Sequence, residues 1–377
     1  MARPVPVLLM THSLGIGGSE RQMAEVAKAL DRSHFEAHAG CFHADGMRAN
    51  ELRAAGVPIL ELPVTSFASF SAVKGARSLL RYIREHRIEL VHSFDVPLNV
   101  FAAPVAWLAR KPVILTSQRA HRLLTPGLFH HLLRITDRLT DGIVVNCEFM
   151  RRHLVEDEKV PARMVHLCYN GIDIAAFQAK GDRAEAAPHP QLGQATVVVG
   201  VVCALRPEKG LDTLVAGFAS IAGEHPGARL LIVGSGPERD RLGEQTQSLG
   251  IADRCVFVPA THEVVRWLHA IDIFVLPSLS EAFSNALMEA MACGCCVVAS
   301  NVGGNLELAG NPERGSLFEP GNPSSLASVL RNLISNPEHR REQGAAAGRF
   351  IREGFSIQAS AARMAEIYNE SLLGVER

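Results

Sequence analysis

Two carboxylates and two cations have the residue types and spacing for chemistry. Glu281 and Glu289 are separated by seven residues in the stretch 277–300, where an apolar run ends at Pro277. A helix is expected from near Ser284, with Gly294 stopping it before the apolar run Cys296-Val-Val-Ala. Glu281 then lies in a loop, and Glu289 little more than one turn inside the helix, so both carboxylates can approach one ligand at the helix N-terminus. Such a ligand would be a sugar nucleotide. One carboxylate would accept hydrogen bonds from ring hydroxyls and the other from a ribose diol, while backbone N–H groups near Ser284 and Asn285 face phosphate. Arg206 and Lys209 are three residues apart in Arg206-Pro-Glu-Lys-Gly, a strand-to-helix loop from which both can reach one diphosphate. Taken singly, these are also what a first-turn charge, a solvated helix face or a basic loop would show; in company they argue for a site.

The elements that must hold these residues follow from the apolar pattern. Val-Val-Val-Gly-Val-Val-Cys-Ala leads into Arg206, 229–233 leads into Gly234, and 273–276 leads into Pro277, each run followed by a helical segment. The N-terminal half alternates in the same way, with strands near 5–10, 36–41, 58–62, 89–92, 113–116, 142–146 and 164–167. Repeated βα units imply α/β architecture: two Rossmann-like doubly wound parallel-sheet domains facing a central cleft. The expected division is an acceptor-side domain over 1–177, a polar linker over 178–195 and a donor domain over 196–354.

At 377 residues and 47% hydrophobic content, two cores are attainable. The net charge of −1 gives no global field for nucleic acid. Locally, eleven basic residues stand against four acidic ones between Lys74 and Arg138. Lys74, Arg77, Arg81, Arg84 and Arg87 form one helical stripe; Arg119, Arg122, His130, His131, Arg134 and Arg138 extend it, with Leu123, Leu124, Leu128 and Phe129 among them. This region is expected to dock on an anionic membrane surface and admit a lipid-linked acceptor. No signal peptide and no eighteen-residue apolar run is visible, and eight cysteines, of which Cys293, Cys295 and Cys296 flank a helix stop, fit reduced thiols. A cytoplasmic protein, peripheral on the inner face of the membrane, is the expectation.

In the first half, Ser13-Leu-Gly-Ile-Gly-Gly-Ser-Glu is a glycine-rich turn at the carboxyl edge of a strand, and Gly17 and Gly18 are its candidate acceptor-side contacts. It fails as a dinucleotide fingerprint, because Glu20 falls where a third glycine would be. His92 ends one strand, and Ser117, Gln118, Arg119 and His121 follow another; these too are expected to face the cleft.

The stretch 277–300, with Phe283 and Glu-Ala-Met-Ala-Cys-Gly, resembles the EX7E motif of GT-B glycosyltransferases, particularly the retaining family 4 (glycosyl transferases group 1). Arg-x-x-Lys-Gly resembles that family's diphosphate clamp, Gly17-Gly-x-Glu its N-terminal turn, and Asn301-Val-Gly-Gly its glycine-rich turn near the donor. The resemblance implies Arg206, Lys209 and Glu281 as catalytic residues and Glu289, Phe283, Ser284, Asn285 and Gly234 as donor-binding ones. It also implies a last helix, within 355–377, that crosses back to the first domain. The implied reaction is metal-independent transfer, with retention, of a hexose from a UDP- or GDP-linked sugar to a hydroxyl acceptor such as a lipid-linked glycan. No cofactor is implied beyond this donor, and the absence of Asp-x-Asp argues against a metal-held diphosphate. A sugar-nucleotide epimerase or a non-catalytic nucleotide-binding module is the alternative. The chain departs from the family in three places. Where the family often has a histidine, the nearest residues are Ser117, Gln118 and Arg119, so that His121 takes the role or Arg119 binds an anionic acceptor. Pro259 stands near the expected nucleotide base, and Cys296 where relatives commonly have proline.

Overall fold

The computed structural model describes residues 3–15, 17–110, 112–122, 125, 127–178 and 189–375. It divides into two compact units, Met1–Gly171 with Ile357–Arg377, and Ile172–Ser356. The boundary thus falls ahead of the expected 177. Of the expected linker, 179–188 lies outside the described residues, as do Leu123 and Leu124.

The first unit has a seven-stranded parallel sheet built from β1 (Val5–Met10), β2 (Phe35–Cys41), β3 (Ile59–Glu61), β4 (Leu90–Ser93), β5 (Val113–Gln118), β6 (Gly142–Val145) and β7 (Val165–Leu167). Its order is β3-β2-β1-β4-β5-β6-β7. β1 is buried along almost its whole length, as a strand covered on both faces by helices must be. The helices are α1 (Gly18–Ala29), α2 (Met47–Ala54), α3 (Phe70–Glu85), α4 (Val96–Ala109), α5 (Gly127–Thr136) and α6 (Glu148–Arg152). α6 continues beyond Arg152 as a π turn, His153–Asp157. The unit's core takes in Met364, Ile367 and Tyr368 from the C-terminal helix.

The second unit has a six-stranded parallel sheet of order β10-β9-β8-β11-β12-β13. Its strands are β8 (Val197–Val202), β9 (Ala228–Val233), β10 (Cys255–Val258), β11 (Ile273–Leu276), β12 (Cys296–Ser300) and β13 (Ser316–Phe318). α7 (Pro190–Gly193) precedes them, and the helices between them are α8 (Leu211–Ala222), α9 (Arg239–Ser248), α10 (Val264–Ala270), α11 (Asn285–Ala292) and α12 (Asn305–Ala309). α13 (Pro323–Ser335) and α14 (Pro337–Gly354) follow, and α15 (Ile357–Val375) belongs to the first unit. α11 begins because the Ser284 hydroxyl accepts the Leu287 N–H at 3.3 Å, and it ends where Gly294 takes φ +77°. Pro237 lies in a turn two residues ahead of α9.

Candidate active site

In both sheets the strand order reverses once, between β8 and β11 in the second unit and between β1 and β4 in the first. Outside the carboxyl ends at such a reversal lies the crevice where open α/β sheets bind ligands.

In the second unit that crevice is flanked by the loops after β8 and β11, which carry Lys209 and Glu281. The Lys209 ammonium donates to Glu281 Oε2 at 2.6 Å, and the Ser278 hydroxyl donates to the same oxygen at 3.3 Å. Burial works against the charge on Lys209, but Glu281, by its charge and its hydrogen bond, holds the pKa above the ordinary lysine value. Arg206, three residues before Lys209, is 65% exposed, with its guanidinium 4.0 Å from the Glu208 carboxylate.

Backbone packing fixes these loops. Gly210 has φ +58°, and a Cβ there would meet Pro277 O at 2.4 Å. Gly234 has φ +152° and its Cβ would fall 1.9 Å from Cys203 O; at Gly303, φ +52°, the clash is with Glu281 O at 1.8 Å. The Leu279 N–H donates to Glu208 O, and the Ser300 hydroxyl donates to Ser278 O at 2.6 Å. Three glycines therefore let four loops lie against one another with Lys209 and Glu281 between them. Gly234, expected at the donor, is accounted for by this packing.

Around the start of α11, Phe283 and Ser284 are buried and Asn285 is half-buried. Phe283 stacks on Phe355 at 5.8 Å between centroids. Glu289 is 6% exposed, so its carboxylate is not a solvated helix charge.

In the first unit the expected residues part company. His92 is fully buried and does not face a crevice: its Nδ1 shares a hydrogen bond with the Tyr368 hydroxyl at 2.8 Å and its Nε2 one with the Ser117 hydroxyl at 2.9 Å. Burial lowers its pKa well below the ordinary 6.5, keeping the ring neutral. An acceptor contact through His92 is therefore corrected to a polar tie between β4, β5 and α15. Arg119 stands with its guanidinium 4.8 Å from the Phe94 ring centroid and donates to Asn170 Oδ1 at 2.7 Å. Desolvation pulls its pKa down to about 10. His121 stacks on His153 at 3.9 Å, and burial lowers its pKa. Arg122, counted above in a basic surface, is 1% exposed and paired through two 2.8 Å bonds with Asp137. Its charge is internal and adds nothing to a membrane-facing patch. Gly17 precedes α1, with the Glu20 carboxylate where its Cβ would be, and Gly18 opens the helix.

What the sequence reading missed is at the reversal itself. His12, in the loop after β1, places Nδ1 3.0 Å from Asp95 Oδ2, in the turn after β4. The signal was present locally, since Asp95-Val-Pro is a helix-start pattern that fixes a carboxylate at the end of β4.

Glycosyl transferases group 1 is the description that matches residues 182–350, and Glycosyltransferase Family 4 the one that matches 16–176. D-inositol 3-phosphate glycosyltransferase of Segniliparus rotundus is 31% identical over 245 residues, 62% of this chain and 53% of that protein. The capsular polysaccharide biosynthesis glycosyltransferase CapM of Staphylococcus aureus is 22% identical over 319 residues, 81% of this chain and 83% of that protein. Anabaena HepE, solved in complex with UDP, is similar at TM-score 0.84 and 21% identity, covering 97% of this chain and 100% of that one. The aligned part spans about half the length of the inositol-phosphate relatives.

Two parallel Rossmann-like sheets of these orders are those of the GT-B fold. The chain belongs to the glycosyl transferases group 1, family 4.

Proposed function

We propose that the protein transfers a hexosyl group from a UDP- or GDP-linked sugar to a hydroxyl acceptor, with retention at the anomeric carbon and without a metal. The observation that carries this reading is the Lys209–Glu281 pair at the reversal of the second sheet, with exposed Arg206 three residues before Lys209 in the same loop. A nucleoside diphosphate competes for Lys209 and draws Arg206 in, which frees Glu281 to accept from the sugar hydroxyls. When the bond from the anomeric carbon to the phosphate oxygen breaks, the electron pair leaves with the diphosphate. The two cations and the N-terminus of α11 stabilise that charge. Glu289 then serves the ribose. Removing one such donor costs roughly a hundredfold in rate, about 3 kcal/mol. In Arg206→Ala with Lys209→Ala, nucleoside diphosphate release should disappear while the melting transition persists; retained turnover in that folded variant refutes the clamp.

The acceptor would be a glycan or lipid-linked cell-envelope precursor, reached by a cytoplasmic protein that docks on the inner membrane face. Support comes from α3, α4 and α5, which expose Phe70, Trp107, Leu108, Leu128 and Ile135 beside the exposed cations Lys74, Arg77, Arg81, Arg84 and Arg134. Apolar side chains flanked by basic ones suit an anionic lipid surface. Among the described residues no helix is long and apolar enough to cross a membrane. Vesicles containing anionic lipid should co-sediment the protein and release it as salt rises. Equal, salt-insensitive binding to neutral vesicles would remove the docking proposal.

A further inference from the structure

Arg119 is a desolvated cation that no carboxylate of the described residues neutralises. It follows β5 at the carboxyl edge of the first sheet, the edge at which open α/β sheets receive ligands. Its partners come from the same unit: Phe94 after β4, whose ring the guanidinium faces, and Asn170 after β7, whose Oδ1 accepts from Nη1 at 2.7 Å. The groups whose charge would favour the cation are the Cys168 thiol and the Tyr368 hydroxyl. Burial drives both of their pKa values up, so both are neutral near pH 7.

A charge taken out of water is ordinarily paired, because an opposite charge is what offsets its lost hydration. Arg122, three residues on, follows that rule with its two 2.8 Å bonds to Asp137. Arg119 does not. Its hydrogen bonding is incomplete as well, since Nε is closed off from water and has no partner among the described residues. A guanidinium is a planar fork of five N–H groups, and the edge formed by Nε and Nη2 matches two oxygens of a carboxylate or phosphate. Asn170 takes Nη1, which leaves that edge to a ligand.

We propose that Arg119 receives an oxyanion, a phosphate or carboxylate group, on its Nε–Nη2 edge, and that this group belongs to the acceptor. The residues that build the site all lie in the first unit. That its occupant is the acceptor rests on the transfer reading above. The acceptor is thereby narrowed from any hydroxyl compound to an acidic one. No bond is made or broken at Arg119; its fork fixes the acid group, and a neutral acceptor forgoes that contact.

Inorganic phosphate and acetate are the probes, titrated separately into the full chain by calorimetry. Both are measured in the Arg206→Ala with Lys209→Ala background, which removes the cations assigned to the diphosphate. At least one of the two should bind, and adding Arg119→Gln should weaken that binding about tenfold or more, as loss of a charge-assisted pair does. Phosphate alone assigns a phosphorylated acceptor, acetate alone a carboxylate-bearing one, and both together an acceptor recognised by its charge. Binding unchanged by Arg119→Gln, or no binding of either probe, overturns the proposal.

Without a probe, Arg119→Gln should melt within about 3 °C of its background, because it removes a desolvated charge together with one hydrogen bond. A larger drop makes Arg119 a structural tie and overturns the proposal too. Transfer is judged apart, by nucleoside diphosphate release from UDP-, GDP- and ADP-sugars in the unsubstituted chain. No release there removes the acceptor as the source of the oxyanion and leaves the site standing, whereas failed probe binding removes the site and leaves transfer standing.

Discussion

Each unit puts one pairing of a basic with an acidic side chain at the reversal of its sheet, Lys209 with Glu281 in the second and His12 with Asp95 in the first. The supports differ. In the second unit the pair is held by backbone against backbone, at glycines whose φ and spacing exclude a Cβ. In the first, side chains do the holding: Asp95 caps a helix, the Ser13 hydroxyl donates to Glu20 at 3.2 Å, and Arg119 donates to Asn170. A backbone-built site has one geometry. The side-chain-built one can change its residues while the sheet stays the same, which suits the unit proposed to meet the acceptor, as against the one proposed to bind the diphosphate.

Alanine at one glycine in each unit puts that contrast to the test. Gly303→Ala forces a side chain into φ +52° with its Cβ 1.8 Å from Glu281 O, so backbone must move. It should cost about 2–3 kcal/mol and lower turnover by displacing Glu281. Gly17→Ala meets only the end of the Glu20 side chain, at φ −66°, where alanine is relaxed. Its cost should stay below about 1 kcal/mol, the worth of the Ser13 bond that a rotated Glu20 gives up. Denaturant titration of the two variants checks the ranking; similar losses would erase the distinction between the units.

The same contrast explains what was legible in the sequence. Glycine loops that pack backbone on backbone leave short local signatures, so the strands and α11 with its Ser284 cap could be read from spacing, whereas the company of the Lys209 and Glu281 loops rested on their flanking motifs and the resemblance these carry. The pairing of His12 with Asp95 spans 83 residues and is set by the neighbouring positions of β1 and β4, which periodicity does not specify. His92 was placed correctly at the end of a strand, but its direction depends on Tyr368, 276 residues away. Arg122 looked like surface charge because its partner Asp137 lies fifteen residues on, just past the end of α5, a pairing that the composition does not reveal. Cys296, noted as a departure, sits at the amino end of β12 with its thiol donating to Gln343 Oε1 at 2.8 Å, far along the strand from the loops of the site.

A smaller effect separates the polar tie inside the first unit from the open pair at its edge. Tyr368→Phe removes the hydroxyl that satisfies His92 Nδ1 in a fully buried place, and should cost about 1–3 kcal/mol at pH 8. The pH dependence has a definite sign. Folded His92 resists protonation, whereas in the unfolded chain it gains a proton below about pH 6.5, so the unfolded state binds more protons and stability falls as pH drops through that range. One such group gives at most about 1.4 kcal/mol per pH unit. Neutral His38, His121 and His166 add slopes of the same sign, so the term due to His92 is the difference between the parent and His92→Gln. The slope should be shallower in His92→Gln. It should stay unchanged in His12→Gln or become steeper there, because His12 titrates above its unfolded value and its stabilising bond grows as the pH falls. Chemical denaturation of the three proteins between pH 5 and 8 would reveal whether the two histidines, one after β1 and one within the adjoining β4, act in these opposite senses.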